Sequence, residues 1–285
     1  MNIPIHFGKS GVGLNTPALF KNIKGNDILI KIKNVEENFF AVSRYWGSLN
    51  SSLKRIGTIC AMHTGVAISD INWIWNEKPL TKDDTQSIAQ TKEYYKNLNF
   101  RFWWWVYPRG QSPETSKMLQ DEGLRLIAKV PCMAADLNNS LSELKFSENI
   151  SVIEVMDKND LYFWENISFH GFEMPQRARE QYGTFVSSFT LGAQSPQRLF
   201  LACFDGKPVA TSLLFTHEKS AGIYYVSTLP EYRNKGCGLS ITQAAMQAAM
   251  KAGYKDIILQ ATSSGEKVYT RAGFKEYCRA EIYKL

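Results

Sequence analysis

Apolar residues at Ile241, Ala244, Ala245, Ala248, Ala249 and Ala252 recur at the spacing of one helical face, which predicts a helix over Leu239 to Ala252. All but the first are alanines, small enough to let the helix lie close on a sheet, and Gly253 closes it. Alternating or continuously apolar runs around it read as strands. Ile150 to Met156 is the first, followed by Asp157 as an N-cap and a helix to about Phe169. Arg198 to Phe204 runs into the tight-turn pair Asp205-Gly206, and Pro208 to His217 returns as the other arm of a hairpin. Gly222 to Leu229 is a third strand, rich in Ile, Tyr and Val. After the helix come a strand at Asp256 to Ala261, a short helix at Glu266 to Ala272 and a last strand at Phe274 to Tyr283. The order predicts a mixed α/β fold.

The preceding half carries a weaker copy of this ending. Asn99 to Tyr107 reads as a strand, Pro113 to Glu122 as a helix, and Gly123-Leu124 leads into a strand through Ala134. Lys117-Met118-Leu119 aligns with Lys267-Val268-Tyr269, and Gly123 aligns with Gly273 at the same offset. A helix over Lys82 to Leu98 would match Leu239 to Ala252. Either one unit has been duplicated and has diverged, or the likeness is what any two strand–helix–strand units share. Between the halves, Asp136 to Asn149 is polar and turn-rich and reads as a linker, which places a boundary near residue 145.

Composition narrows the function classes. The chain has 285 residues, enough for about two domains, and its 44% hydrophobic and 21% charged content is that of a globular protein rather than a disordered one. No apolar run reaches the length of a membrane span. The start, Met1 to Ser10, lacks the pattern of a secretory signal, so the Asn-x-Ser triplets at Asn50, Asn138 and Asn166 read as coincidences. Five scattered cysteines, with no C-x-x-C, read as reduced thiols of a cytoplasmic protein. Four histidines, none paired at helical spacing, argue against a metal site. Gly8-Lys9-Ser10 has the tail of a phosphate-binding P-loop without its first glycine, and no G-x-S-x-G elbow occurs. A net charge of +6 leans toward anionic small molecules, while no basic block points to nucleic acid.

The chemistry concentrates in Val226-Ser-Thr-Leu-Pro-Glu-Tyr-Arg-Asn-Lys-Gly-Cys-Gly-Leu239. Two glycines, Gly236 and Gly238, stand between a strand and an alanine-rich helix. They let consecutive N–H groups turn into one concavity, to which the helix adds its own unpaired amides and positive dipole end. Such a turn binds a pyrophosphate, and Arg233 and Lys235 would strengthen the positive field.

Arg233-Asn234-Lys235-Gly236-Cys237-Gly238 resembles the acetyl-coenzyme A pyrophosphate loop of the GNAT superfamily of N-acetyltransferases, and Leu259 to Phe274, with V-Y-x-R-x-G-F, resembles that family's late strand, short helix and terminal strand. The resemblance covers about residues 150 to 285; the first half looks like the degenerate copy of tandem members. It implies two acyl-CoA N-acyltransferase-like domains, a degenerate one over 1–145 and an acetyltransferase domain over 146–285. It further implies transfer of acetyl from acetyl-coenzyme A to a primary amine of a small molecule or peptide, without metal, membrane or nucleic acid, by a monomer or homodimer. The backbone of Ser227, Thr228 and Leu229 would pair with the pantetheine arm and polarise the thioester. Arg233 to Gly238 would cradle the pyrophosphate, and Tyr269 would protonate the leaving thiolate. No carboxylate lies on the strand before the loop; His170 and Glu173 lie where the family lines its acceptor pocket. Leu119 stands where Tyr269 does, so the first copy is expected not to bind acetyl-coenzyme A productively. Trp73, Trp75, Trp103, Trp104 and Trp105 are either core or an aromatic acceptor pocket. A non-catalytic module that holds acyl-coenzyme A is the competing function.

Overall fold

The computed structural model describes residues 25–140, 147–192 and 194–285. His6, the Gly8-Lys9-Ser10 stretch and the boundary expected near 145 lie outside them. The elements in chain order are α1 (Gly25–Leu49), β1 (Lys54–Ile56), β2 (Ile59–Met62), β3 (Trp73–Asn76), α2 (Thr85–Asn97), β4 (Trp103–Val106), α3 (Pro113–Asp121), β5 (Arg125–Asp136) and α4 (Leu137–Ser140). The second half gives β6 (Ile150–Glu154), α5 (Lys158–Gly171), α6 (Arg179–Ser187), β7 (Gln197–Phe204), β8 (Lys207–His217), β9 (Ser220–Thr228), α7 (Cys237–Lys251), β10 (Asp256–Gln260), α8 (Glu266–Arg271) and β11 (Lys275–Lys284).

The C-terminal elements lie where the hydrophobic pattern puts them. Asp157 caps α5 by accepting from the Asp160 N–H at 2.9 Å. Asp205 and Gly206 both take positive φ, the requirement of a two-residue hairpin turn. The strand expected from Asn99 is shorter, because Asn99 adopts φ +54° and ends α2 in a left-handed turn; pairing starts only at Trp103. Asp136, expected to open the linker, is instead the last residue of β5 and pairs with Asp256.

None of the patterning above singled out α1. Its stripe, Val35, Phe39, Val42 and Trp46, is buried, but the buried polar residues Glu36, Asn38 and Ser43 interrupt it and blur the period. Asn38 ties the helix to the other half: its amide donates to Ser220 O at 3.2 Å, and its Oδ1 accepts from the Tyr224 hydroxyl at 2.8 Å.

All the strands form one sheet, in the order β1-β2-β3-β4-β11-β5-β10-β9-β8-β7-β6. Each half repeats one plan: antiparallel strands, a helix, a parallel strand, a helix and a final strand. β3 and β4 are parallel across α2, as β9 and β10 are across α7. The final strands are exchanged. β11 inserts beside β4 of the first half, while β5 pairs with β10 of the second. Neither half closes its own sheet, so the two are covalently and topologically one body. Helices α1, α5 and α6 cover one face, and α2, α3, α7 and α8 cover the other. Alternation along β4 sends Trp103 and Trp105 to the first face and Trp104 to the second. No helix among the described residues is long and apolar enough to cross a membrane.

Candidate active site

The site begins with a defect in β9. Thr211 pairs with Ser227 and Leu213 with Tyr224, so β9 holds one more residue than β8 across this interval. The extra residue is a β-bulge, and Tyr225 within it takes φ +53°, a conformation that disfavours a bulky side chain. The Thr211 hydroxyl steadies it, lying 2.9 Å from Tyr225 O and 2.8 Å from Ser227 Oγ. The kink has a consequence on the other edge. β9 pairs with β10 only at Ala221/Ile257 and Gly222/Ile258; beyond that β10 continues alongside β5 while β9 keeps only β8. The sheet opens between two parallel strands, at their C-terminal ends.

Alternation then decides which amides face the opening. Leu229 N–H is taken by Val209 O at 3.0 Å. In an antiparallel ladder alternate residues point the same way, so Ser227 N–H also faces β8 and Thr228 N–H faces the opening. Of the three backbone donors expected here, Thr228 is the one whose N–H faces the opening. Leu229, expected to join it, is committed to the sheet.

Beyond β9 the chain makes a 3₁₀ turn at Pro230–Tyr232 and reaches α7 through Asn234 at φ +62° and Gly236 at φ +91°. Gly236 is the N-cap and offers no side chain to the first-turn amides, whose earliest intrahelical partnership is Ser240 N–H to Gly236 O. A Cβ on Gly238 would lie 3.7 Å from Thr228 Oγ1, so this glycine keeps space free between strand end and helix start. Unpaired amides, a positive helix end and open space fit an anionic pyrophosphate. Cys237 is buried, and burial pushes its thiol up, which leaves its backbone amide as its contribution.

The cations are placed differently from expectation. Arg233 turns back as a strut: it donates to Thr228 O at 3.2 Å and Gly171 O at 3.0 Å, and pairs with Glu173 at 3.0 Å. It fixes the loop to β9 and to the end of α5 rather than pointing into the cradle. Lys235 lies over the rings of Tyr232 (4.8 Å) and Phe204 (5.2 Å), and Lys207 over Tyr232 (5.4 Å), so two ammonium groups flank one side of the loop. Asn234 contributes its backbone turn.

Tyr269 sits on α8 with its ring edge-on to Phe274 and against Gly265, where a Cβ would come within 2.7 Å of the ring. Burial raises its phenol above the ordinary value, so it stays protonated through neutral pH. His170 is exposed against Phe169, and Glu173 is engaged with Arg233. The opening instead continues into a cavity of about 160 Å³. Trp73, Trp103 and Trp105 line it, whereas Trp104 and Trp75 pack elsewhere, Trp75 stacking on Phe40. Asp70, which no sequence pattern marked, also lines it. Among the described residues no cluster of three or more His, Cys, Asp or Glu is placed to hold a metal ion.

Residues 195–276 match the family model of the acetyltransferase (GNAT) domain. Among solved structures, the chain is similar to a GCN5-related N-acetyltransferase from Kribbella flavida, at 16% identity and TM-score 0.68 over 87% of this chain and 94% of that one. A GCN5-related N-acetyltransferase from Sphaerobacter thermophilus follows at 15% and TM-score 0.60, over 80% and 76%. A tandem GNAT protein from the clavulanic acid biosynthesis pathway matches at 12% and TM-score 0.54, over 80% and 78%. At these identities the structural likeness establishes the fold. No protein of curated function matches the sequence.

Proposed function

We propose that this GNAT-superfamily chain binds acetyl-coenzyme A in the opening between β9 and β10 and transfers the acetyl group to a primary amine of a small molecule or peptide. The observation that carries the reading is the bulged, diverging end of β9 directly above the glycine-led start of α7. A strand edge free to pair with an amide-bearing arm ends where a helix offers unpaired amides to a pyrophosphate. Acetyl-coenzyme A supplies the activated thioester; the chain's residues position it and move the protons. The first-turn amides of α7, with Gly236, Cys237 and Gly238, hold the phosphates, and Lys235 adds positive field. Thr228 N–H donates to the thioester carbonyl, where negative charge develops on attack. Tyr269 protonates the departing thiolate. Its raised pKa keeps the proton loaded, and the same dry surroundings raise the thiol's affinity for a proton, so donor and acceptor shift together. Ser227 and Arg233 act indirectly, bracing the bulge and the loop.

Calorimetric titration with acetyl-coenzyme A tests this directly. Binding that is lost in Gly236→Glu and kept in Tyr269→Phe is the expected result; no binding by the unmodified protein would overturn it. The competing reading, a module that holds acyl-coenzyme A without turnover, predicts binding with no free thiol released over an amine panel. Retention of Tyr269 favours the enzyme.

A further inference from the structure

Resting on the acetyl-transfer reading above, we propose that the cavity beside the β9–β10 opening is the acceptor site, and that it takes a small primary amine on an aryl or alkyl body, its ammonium held against Asp70. The walls come from both halves: Trp73, Trp103 and Trp105 from the first, Tyr224 and Tyr225 from the second. Gln260 and Thr262 complete it on the β10 side, and Thr262 begins the turn that leads to Tyr269. The cavity therefore borders the bulged stretch of β9 just before Thr228 and, through Thr262, the turn that precedes α8.

Size, polarity and charge select the ligand. At about 160 Å³ the space holds a body of roughly benzene size, since apolar cavities of about 150 Å³ bind benzene. Its rings are held in place: Phe39 stacks on Trp73 at 4.9 Å, and Trp46, itself part of the lining, packs on Trp73 at 5.2 Å. Aromatic faces attract a cation. Three polar atoms of the wall have no hydrogen-bond partner among the described residues: the indole N–H of the buried Trp105, the hydroxyl of the buried Tyr225 and the amide nitrogen of the half-buried Gln260. Asp70 is the one carboxylate of the lining, and it has no ion-pair partner among the described residues. A carboxylate with no direct ion pair, set among aromatic faces, is complementary to an ammonium and hostile to an anionic acceptor.

Several groups face Asp70. Ser69 donates to its Oδ1 at 2.9 Å, Lys284 of β11 supplies the nearby positive charge, and Tyr225 of β9 is close enough for the carboxylate to raise its phenol further. Burial outweighs these and pushes the Asp70 carboxyl up to about 6, so it is an anion at neutral pH and still a better proton acceptor than an ordinary aspartate. In the reaction, Asp70 takes one proton from the bound ammonium. The freed lone pair attacks the thioester carbon, forming C–N, and the C–S bond breaks. The thiolate takes the Tyr269 proton, the second proton on nitrogen restores Tyr269, and Asp70 returns its proton to water.

Phenethylamine is the probe, read by quenching of tryptophan fluorescence without coenzyme A, with phenylacetate as the anionic control. The expected result is saturable quenching by the amine alone, tightening about tenfold from pH 5 to pH 7. Asp70→Asn should weaken it at least tenfold at pH 7 and flatten the pH dependence, while Asp70→Glu preserves it and both variants bind acetyl-coenzyme A as before. A merely structural Asp70 would leave the pH dependence in place. Equal binding of phenylacetate, or an Asp70→Asn protein that keeps affinity and pH profile, would overturn the proposal. Amine binding without any acetyl-coenzyme A binding would uphold this cavity and sink the transfer reading. Acetylation of other amines with no phenethylamine binding would do the reverse.

Discussion

The two halves meet the same structural position with opposite chemistry. Where β3 leads into α2, Thr81 and Asp84 form a capping box: Asp84 accepts from Thr81 N–H at 2.8 Å and from its hydroxyl at 3.2 Å. The helix start is satisfied by its own side chains, and Asp83 and Asp84 make it negative. Where β9 leads into α7, a glycine stands at the cap and no side chain caps the first-turn amides. The strands differ likewise. β3 pairs with β2 without a register shift and with β4 over three residues, whereas β9 is bulged and leaves β10 after two. One copy has been zipped shut and the other held open. The shut copy still takes part: it supplies Asp70 and the tryptophans of the cavity and, through β5, the strand that keeps β10 away from β9.

The sharpest way to break this comparison is to put a charge in the open cradle. Gly236→Glu adds bulk and like charge, and replaces a residue at φ +91°; acetyl-coenzyme A affinity should fall at least about 100-fold, roughly 3 kcal/mol, by calorimetry. Tyr269→Phe should leave that affinity unchanged and lower kcat by about 100-fold, the usual weight of one positioned proton donor, in a free-thiol assay. Asn38→Leu tests how far the halves depend on each other. It strands the Ser220 carbonyl and the Tyr224 hydroxyl in the interior and should cost about 2 kcal/mol or more in denaturant unfolding.

Asp70→Asn should move stability the other way. A carboxyl raised to about 6 binds its proton more tightly folded than unfolded, so its ionisation destabilises the fold as pH rises from about 4 through 6. Removing it should raise stability at pH 7.5 by on the order of 1–2 kcal/mol, and have no such effect at pH 3.5, where both states are protonated. A binding group that destabilises its own apo fold is the pattern expected of a functional site. Thr81→Ala should cost least, about 1 kcal/mol, without creating a second coenzyme A site.

How much of this was legible in the chain follows from which interactions are local. The α7 stripe, the Asp205-Gly206 hairpin and the Gly236 loop are set by residues a few positions apart, so pattern alone placed them. The exchange of β5 and β11 is a long-range pairing choice, and nothing in either strand's alternation distinguishes one antiparallel neighbour from another. The bulge at Tyr225 was hidden because a β-branched and aromatic run reads as an ordinary strand. Arg233, expected beside the phosphates, turns to Thr228 O, Gly171 O and Glu173 here, because a motif gives a residue's position but not the direction of its side chain. Asp70 has no patterned neighbours; its meaning comes from the tryptophans that the other elements bring around it. The sequence offered Trp73, Trp75, Trp103, Trp104 and Trp105 as one group, and only the fold sends Trp104 to the other face and leaves Trp73, Trp103 and Trp105 as a wall.

The most direct test of the open-and-shut account is the stoichiometry of acetyl-coenzyme A binding. One equivalent per chain, abolished by Gly236→Glu and untouched by Asp84→Asn, is the result the account predicts. Two equivalents, or one that survives Gly236→Glu and vanishes with Asp84→Asn, would contradict it.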